Sequence, residues 1–142
     1  MQNDIKSQLI MFIEKKNLKS VIELCIDGYD VNTVLTEKLD NALIYSIRIK
    51  SNDIAKWLIN NTLITLEYAN KRGWTALMWA CNHSNSELCN LLLDKSTKNI
   101  YFKNDEDSTV LEIINLYCKS IKMMQIGERI INIIHKKNTE YF

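Results

Sequence analysis

The sequence predicts an all-α solenoid of stacked helix-turn-helix repeats with a period of 34 residues. Three observations carry that reading. Leu9, Leu43, Leu77 and Leu111 follow one another at intervals of 34. Two positions before each stands a residue able to cap a helix N-terminus: Ser7, Asn41, Thr75 and Thr109. A side-chain oxygen there accepts a free N–H of the first helical turn. Further columns keep the interval, with Phe12, Ser46, Ala80 and Ile114 after the leucines, and then Leu24, Leu58, Leu92 and Ile126. Self-similarity at a period of roughly 20 to 50 residues marks a stacked array. It turns the question of function from catalytic centres to surfaces.

The reading is of one domain, 1–142, with repeats at about 3–35, 36–69, 70–103 and 104–142, the first and last acting as caps. Each repeat is two short helices and a connector. In the first, Leu9, Phe12 and Ile13 line one helix, and Val21, Leu24 and Cys25 the next. The second carries Leu43 and Ile47, then Ile54, Ala55, Trp57, Leu58 and Ile59. In the third, Thr75 caps a helix bearing Leu77, Ala80 and Cys81, and a second helix buries Leu88, Cys89, Leu91, Leu92 and Leu93. The turns between helices fall at Lys16-Asn17, Lys50-Ser51, Ser84-Asn85 and Cys118-Lys119. Spacings of three and four give each helix one apolar stripe, and a single pair cannot bury its stripe alone. The run from Asp94 to Asp107 reads as a polar, irregular connector. The fourth repeat opens with a helix from Thr109 to about Tyr117. Its second helix is either Ser120 to Ile126 or the later run Ile130 to Ile134, with Gly127 a candidate break between them.

This pattern resembles the ankyrin repeat. Asn70-Lys71-Arg72-Gly73-Trp74-Thr75-Ala76-Leu77-Met78-Trp79-Ala80-Cys81 lies along the family's Asp-x-x-Gly-x-Thr-Pro-Leu-His-x-Ala-Ala. Ser86 to Leu93 lies along its second helix, and Gly28-Tyr29-Asp30-Val31-Asn32 resembles the segment that closes a repeat. The family's proline is replaced by Gln8, Ala42, Ala76 and Val110, and its histidine by Ile10, Ile44, Met78 and Glu112. Gly73 is matched by Leu39 and Asp107. Glycine supplies the positive φ of tight turns, so looser and less regular finger loops are expected.

The resemblance implies a non-enzymatic module that binds another protein on the concave surface of finger loops and first helices. Carried over position by position, the variable surface comprises Glu37, Lys38, Asp40 and Arg48, then Lys71, Arg72, Trp74, Asn82 and His83, then Asp105, Glu106 and Ser108. Trp74 is the pivotal residue. Either it is half exposed beside Lys71 and Arg72, where Trp and Arg make strong binding anchors, or it packs on the neighbouring finger near Asp40 and Ser108. Trp79, in the column of Met11, Tyr45 and Ile113, is read as packing between repeats, and Trp57, aligned with Leu91, as core.

Composition narrows the remaining classes. The net charge is +1, with 25% charged residues, which gives no general reason to expect nucleic acid or an anionic membrane. No apolar run approaches the roughly 18 residues of a membrane span. Cys25, Cys81, Cys89 and Cys118 form no C-x-x-C pair, which points to reduced thiols in an intracellular protein. Cys81, His83 and Cys89 have no zinc-like spacing. They read instead as two buried small side chains and a solvated histidine. The carboxylates Asp105, Glu106 and Asp107 read as a solvated loop tip. No metal, cofactor or catalytic group is expected. Abundant Ile, Asn and Lys, Lys well in excess of Arg, and no Pro are what an AT-rich genome writes. That skew points toward a protist, an intracellular bacterium or a large DNA virus, and to capture of a host protein in cytoplasm or nucleus. The alternative is a structural subunit or weak homodimer joined through the isoleucine-rich run Ile126 to Ile134, which carries more apolar surface than a solvent-facing cap should.

Overall fold

The computed structural model describes residues 2–140, and side chains from 4 onward. Its helices are α1 (Gln2–Glu14), α2 (Leu18–Ile26), α3 (Ala42–Arg48), α4 (Asn52–Asn61), α5 (Ala76–Asn82), α6 (Ser86–Lys95), α7 (Val110–Tyr117) and α8 (Ile121–Thr139), with a 3-10 helix at Lys98–Tyr101. They pair in chain order. The chain divides into two compact units, Met1–Ala76 and Leu77–Phe142.

In the first unit α1 packs on α2 and α3 on α4, and the pairs meet through α1 against α3 and α2 against α4. Leu9, Ile13, Val21, Leu43, Ile44, Ile47, Ile54, Ala55 and Leu58 are buried between them. Burying a large aliphatic side chain stabilises by about 1.5–3 kcal/mol, and these columns supply most of that gain. The outer positions are wetter than their periodicity implies. Phe12, Leu24, Cys25 and Trp57 are half-buried, as is Leu91 in the second unit. Trp57 is thus not core but half-buried, lining a groove with Cys25 and Ile26 of α2.

The reversal between paired helices repeats closely. Asn17 N donates to Phe12 O, Ser51 N to Ser46 O and Asn85 N to Ala80 O, at 2.8, 2.7 and 2.9 Å. Lys16, Lys50 and Ser84 sit between at φ 56, 66 and 55°. This is the Schellman ending, in which one left-handed residue lets the next N–H reach back five positions along the chain. The following helix is then capped by Asn17 on Ser20 N and Asn85 on Leu88 N. Ser51 differs: its Oγ donates to Ile13 O at 2.6 Å, tying α4 to α1.

Ser7 does not cap a helix. It is an exposed residue within α1, which begins at Gln2 and carries Asp4 in its first turn, where a carboxylate suits the helix dipole. Asn41 and Thr109 do cap, accepting from Ile44 N and Glu112 N, and Thr75 immediately precedes α5.

In the second unit α8 packs on both α6 and α7. The α7–α8 turn is one residue longer than expected. Cys118 is not left-handed (φ −116°), and the cap is Ser120, accepting from Met123 N. Gly127 breaks nothing. It lies buried inside a continuous α8 among Met123, Ile126 and Ile130, a single stripe fit for a helix covered on one side. The connector between Asp94 and Asp107 is more ordered than its polarity implies. α6 continues to Lys95, and the 3-10 turn buries Asn99 and Ile100. The last turns of α8 are held there by Lys137, whose Nζ lies 5.7 Å from the Tyr101 ring centre.

A Cβ built on Gly127 would lie 3.7 Å from Ile114 Cγ2 and 3.8 Å from Leu111 Cδ1, ordinary contact distances. Gly127→Ala is therefore expected to stabilise the protein by about 1 kcal/mol through helix propensity. A thermal melt should rise by about 3 °C; a fall would show that α8 needs a flexible point at Gly127.

Candidate functional site

The finger loops before α3, α5 and α7 are built by one device. Asn70 Oδ1 accepts from Arg72 N and Trp74 N, both at 3.0 Å, while Asn70 N donates to Trp74 O and Gly73 N to Asn70 O. Asn104 repeats each of these bonds 34 residues later with Glu106 N, Ser108 N, Ser108 O and Asp107 N. Thr36 does the same more sparingly, its Oγ1 accepting from Asp40 N and its carbonyl from Leu39 N. The turn needs a left-handed residue at its end, and Leu39, Gly73 and Asp107 supply it at φ 61, 75 and 57°. The fingers are therefore not loosened by the missing glycines. A left-handed side-chain-bearing residue costs roughly 1–2 kcal/mol, and the side-chain hydrogen bonds offset it.

In the first unit the two fingers are joined from within. Asp40 is fully buried. Its Oδ2 accepts from Arg48 Nη2 at 2.8 Å and Nε at 3.0 Å, and its Oδ1 from Asn70 Nδ2 at 2.9 Å. A buried carboxylate persists only with such partners. Arg48 also lies 5.3 Å from the Tyr45 ring centre, and the Tyr45 hydroxyl donates to Glu14 Oε1 at 2.6 Å. Burial, then the hydrogen bond to Glu14, push the Tyr45 phenol up to about 12. Tyr68 donates to Leu39 O at 2.6 Å, and its phenol is raised by burial and by the Asp40 charge. At the tips, Lys71 N donates to Lys38 O at 2.8 Å.

This geometry sorts the residues expected to meet a partner. Glu37, Lys38, Lys71 and Arg72 are exposed on the first unit's fingers, and Asp105 and Glu106 on the second unit's. Asn82 and His83 are half-buried at the end of α5. His83 is not simply solvated. Its ring stacks on Trp79 at 5.7 Å between centroids and 27° between planes, so Trp79 is partly covered by its own helix. Trp74, Asp40 and Ser108 are buried, at 5%, 0% and 7% exposure. Trp74 is a packing residue under the finger, and not a half-exposed anchor. Asp40 and Arg48 are the internal brace of the fingers, with Arg48 only partly accessible. Thr36, Asn104 and Glu14 escaped the sequence reading, and Asn70 and Tyr45 entered it only as a motif and a packing position, although Thr36, Asn70 and Asn104 lie in one 34-residue column that could have revealed them.

The cysteines are all free thiols. Cys81 Sγ lies 3.6 Å from Cys89 Sγ, and Cys118 Sγ donates to Cys81 O at 2.9 Å. The contact with Cys89, and then burial, push the Cys81 thiol well up, which suits packing more than nucleophilic use. Among the described residues no cluster of His, Cys, Asp or Glu could hold a metal ion, and no helix is long and apolar enough to cross a membrane.

Asp40→Ala is expected to lower the unfolding free energy by about 3 kcal/mol, because it leaves the Arg48 charge and the Asn70 amide without their buried acceptor. Urea denaturation checks this, and a loss within error of zero would mean that the fingers hold without the carboxylate. Against known proteins, a family model described as ankyrin repeats, three copies, matches residues 9–105. No curated protein matches the chain.

Proposed function

The chain belongs to the ankyrin-repeat family, and on that premise we propose that it is a non-enzymatic protein-protein interaction module whose partner docks on finger loops and first helices. Ankyrin repeats are generally protein-protein interaction modules. The observation that carries the finer reading is the pinning of the first unit's fingers by the Asp40–Asn70 bond and by Lys71 N on Lys38 O. A surface held rigid before binding loses less entropy on binding. It presents Glu37, Lys38, Lys71 and Arg72, with Arg48 behind them. Mixed charge of this kind favours selective recognition of a complementary protein face and speeds encounter with it. In the second unit Asn82, His83, Asp105 and Glu106 offer a separate polar surface. Trp74 and Ser108 act beneath these surfaces by shaping the fingers.

The partner we infer is a protein of a host cell. The ground for it is the AT-rich composition, which points toward a protist, an intracellular bacterium or a large DNA virus as the source.

A photocrosslinking residue placed at Arg72 tests the docking surface. It is expected to capture a partner from the source or host cell, where the same residue at exposed Asp53 on α4 captures none. Lys71→Glu should weaken that capture about tenfold, as loss of a well-placed charge at an interface does. Equal capture from both positions would overturn the reading.

A second reading is a homodimer through the C-terminal helix. Ile126 and Ile130 of its isoleucine run face inward and are accounted for by packing. What favours self-association is the outer side of the last pair, where Leu116, Tyr117, Ile121, Met124 and Ile131 are exposed. Light scattering across a concentration series is expected to give a constant 16.6 kDa monomer. A mass that doubles with concentration would make this face the interface.

A further inference from the structure

The first unit carries a groove where the ends of α2 and α4 run into their following loops. It has a volume of about 530 Å³ and is lined by Ile26, Tyr29, Asp30, Trp57, Asn61 and Leu63, among others. Ile26 is 75% exposed and Leu63 94%, with the half-buried Trp57 between them. No packing need explains them. One repeat on, Thr97 stands in the column of Leu63, and two repeats on, Asp94 stands in the column of Ile26. Apolar side chains in solvent that cluster around a concavity mark an interaction site better than single exposed ones do.

The charge beside the groove is net negative. Asp30 lines it, and Asp27 and Asp30 outnumber Lys6 in the wall of an adjoining cavity of about 630 Å³ that shares Tyr29. Among the described residues neither carboxylate makes an ion pair. The Asp30 side chain accepts from Asn32 N, at 2.9 Å. Among the described residues the buried Tyr29 hydroxyl in the shared wall has no hydrogen-bond partner.

We propose that this groove is a second docking site, separate from the fingers, for a segment of another protein that presents a large aliphatic or aromatic side chain next to a lysine or arginine. The apolar side chain covers Ile26, Trp57 and Leu63, and the cation meets Asp30 and Asp27. Apolar burial supplies affinity, and the carboxylates select the basic neighbour over an acidic one.

The test uses an array of short Gly/Ser peptides with a central Leu, Phe or Trp, flanked by either Lys or Glu, against the full chain. Lys-flanked apolar peptides are expected to bind and to shift the backbone amide resonances of Ile26 and Leu63, while Glu-flanked ones do not. Leu63→Asp alters a residue almost wholly in solvent, so the fold persists, and binding should fall by about tenfold or more. Asp30→Lys should reverse the preference to Glu-flanked peptides. Three results would overturn the proposal. One is no array peptide binding. Another is binding unchanged in Leu63→Asp. The third is a self-association of the chain that Leu63→Asp abolishes, because Ile121 beside Lys122 in a second copy would then be the occupant.

Discussion

Every helix pair has to stop one helix within a turn and send the next back beside it, and a single left-handed residue performs this in three of the four pairs. Lys16, Lys50 and Ser84 hold that conformation without being glycine. An L-residue there carries Cβ strain, so the helices must over-determine the turn by packing. They do: Leu9, Ile13 and Val21 around the first turn and Leu43, Ile47 and Leu58 around the second are buried almost completely. The same constraint recurs in the fingers at Leu39, Gly73 and Asp107. Where it is relaxed, at Cys118, the register slips by one residue and α8 is free to run on to Thr139 as a long cover.

Much of this architecture was legible in the chain because it rests on local chemistry repeated at a fixed interval. The leucine column, the Asn41 and Thr109 caps and the turn positions at Lys16, Lys50 and Ser84 follow from side-chain type and spacing alone. Ser7 was misread because a serine within a helix and a serine before one look alike when nothing upstream interrupts the helix. Gly127 was misread for the opposite reason. A glycine in a helix signals a break by propensity, yet here α6 and α7 pack against a helix that passes straight through it. The looseness expected of the fingers failed because glycine is only one way to a positive φ. The oxygens of Thr36, Asn70 and Asn104 are another source of order for the same turn.

The functional surface was less legible, for a physical reason. Which residues vary at a finger can be read by position, but which of them point to solvent depends on contacts made across tens of residues. Asp40 looks like a surface carboxylate in sequence and is buried by Arg48, eight residues on, and by Asn70, thirty residues on. Trp74 looks like an anchor beside two cations, and the fold draws it under the loop. In the first unit the chemistry left outside is a mixed-charge tip at the fingers and an acidic-apolar groove at the ends of α2 and α4, two surfaces of different character on one small scaffold.

The tip-to-tip bond from Lys71 N to Lys38 O uses main-chain atoms only, and the bonds that close each finger accept main-chain N–H groups. The side chains at 37, 38 and 71 take no part in these bonds. Their identities can drift or be rewritten while the backbone that displays them stays put. A lineage under pressure to track a changing target could exchange these residues one at a time without passing through unfolded intermediates. The same freedom makes these three positions a natural alphabet for a randomised library on this scaffold.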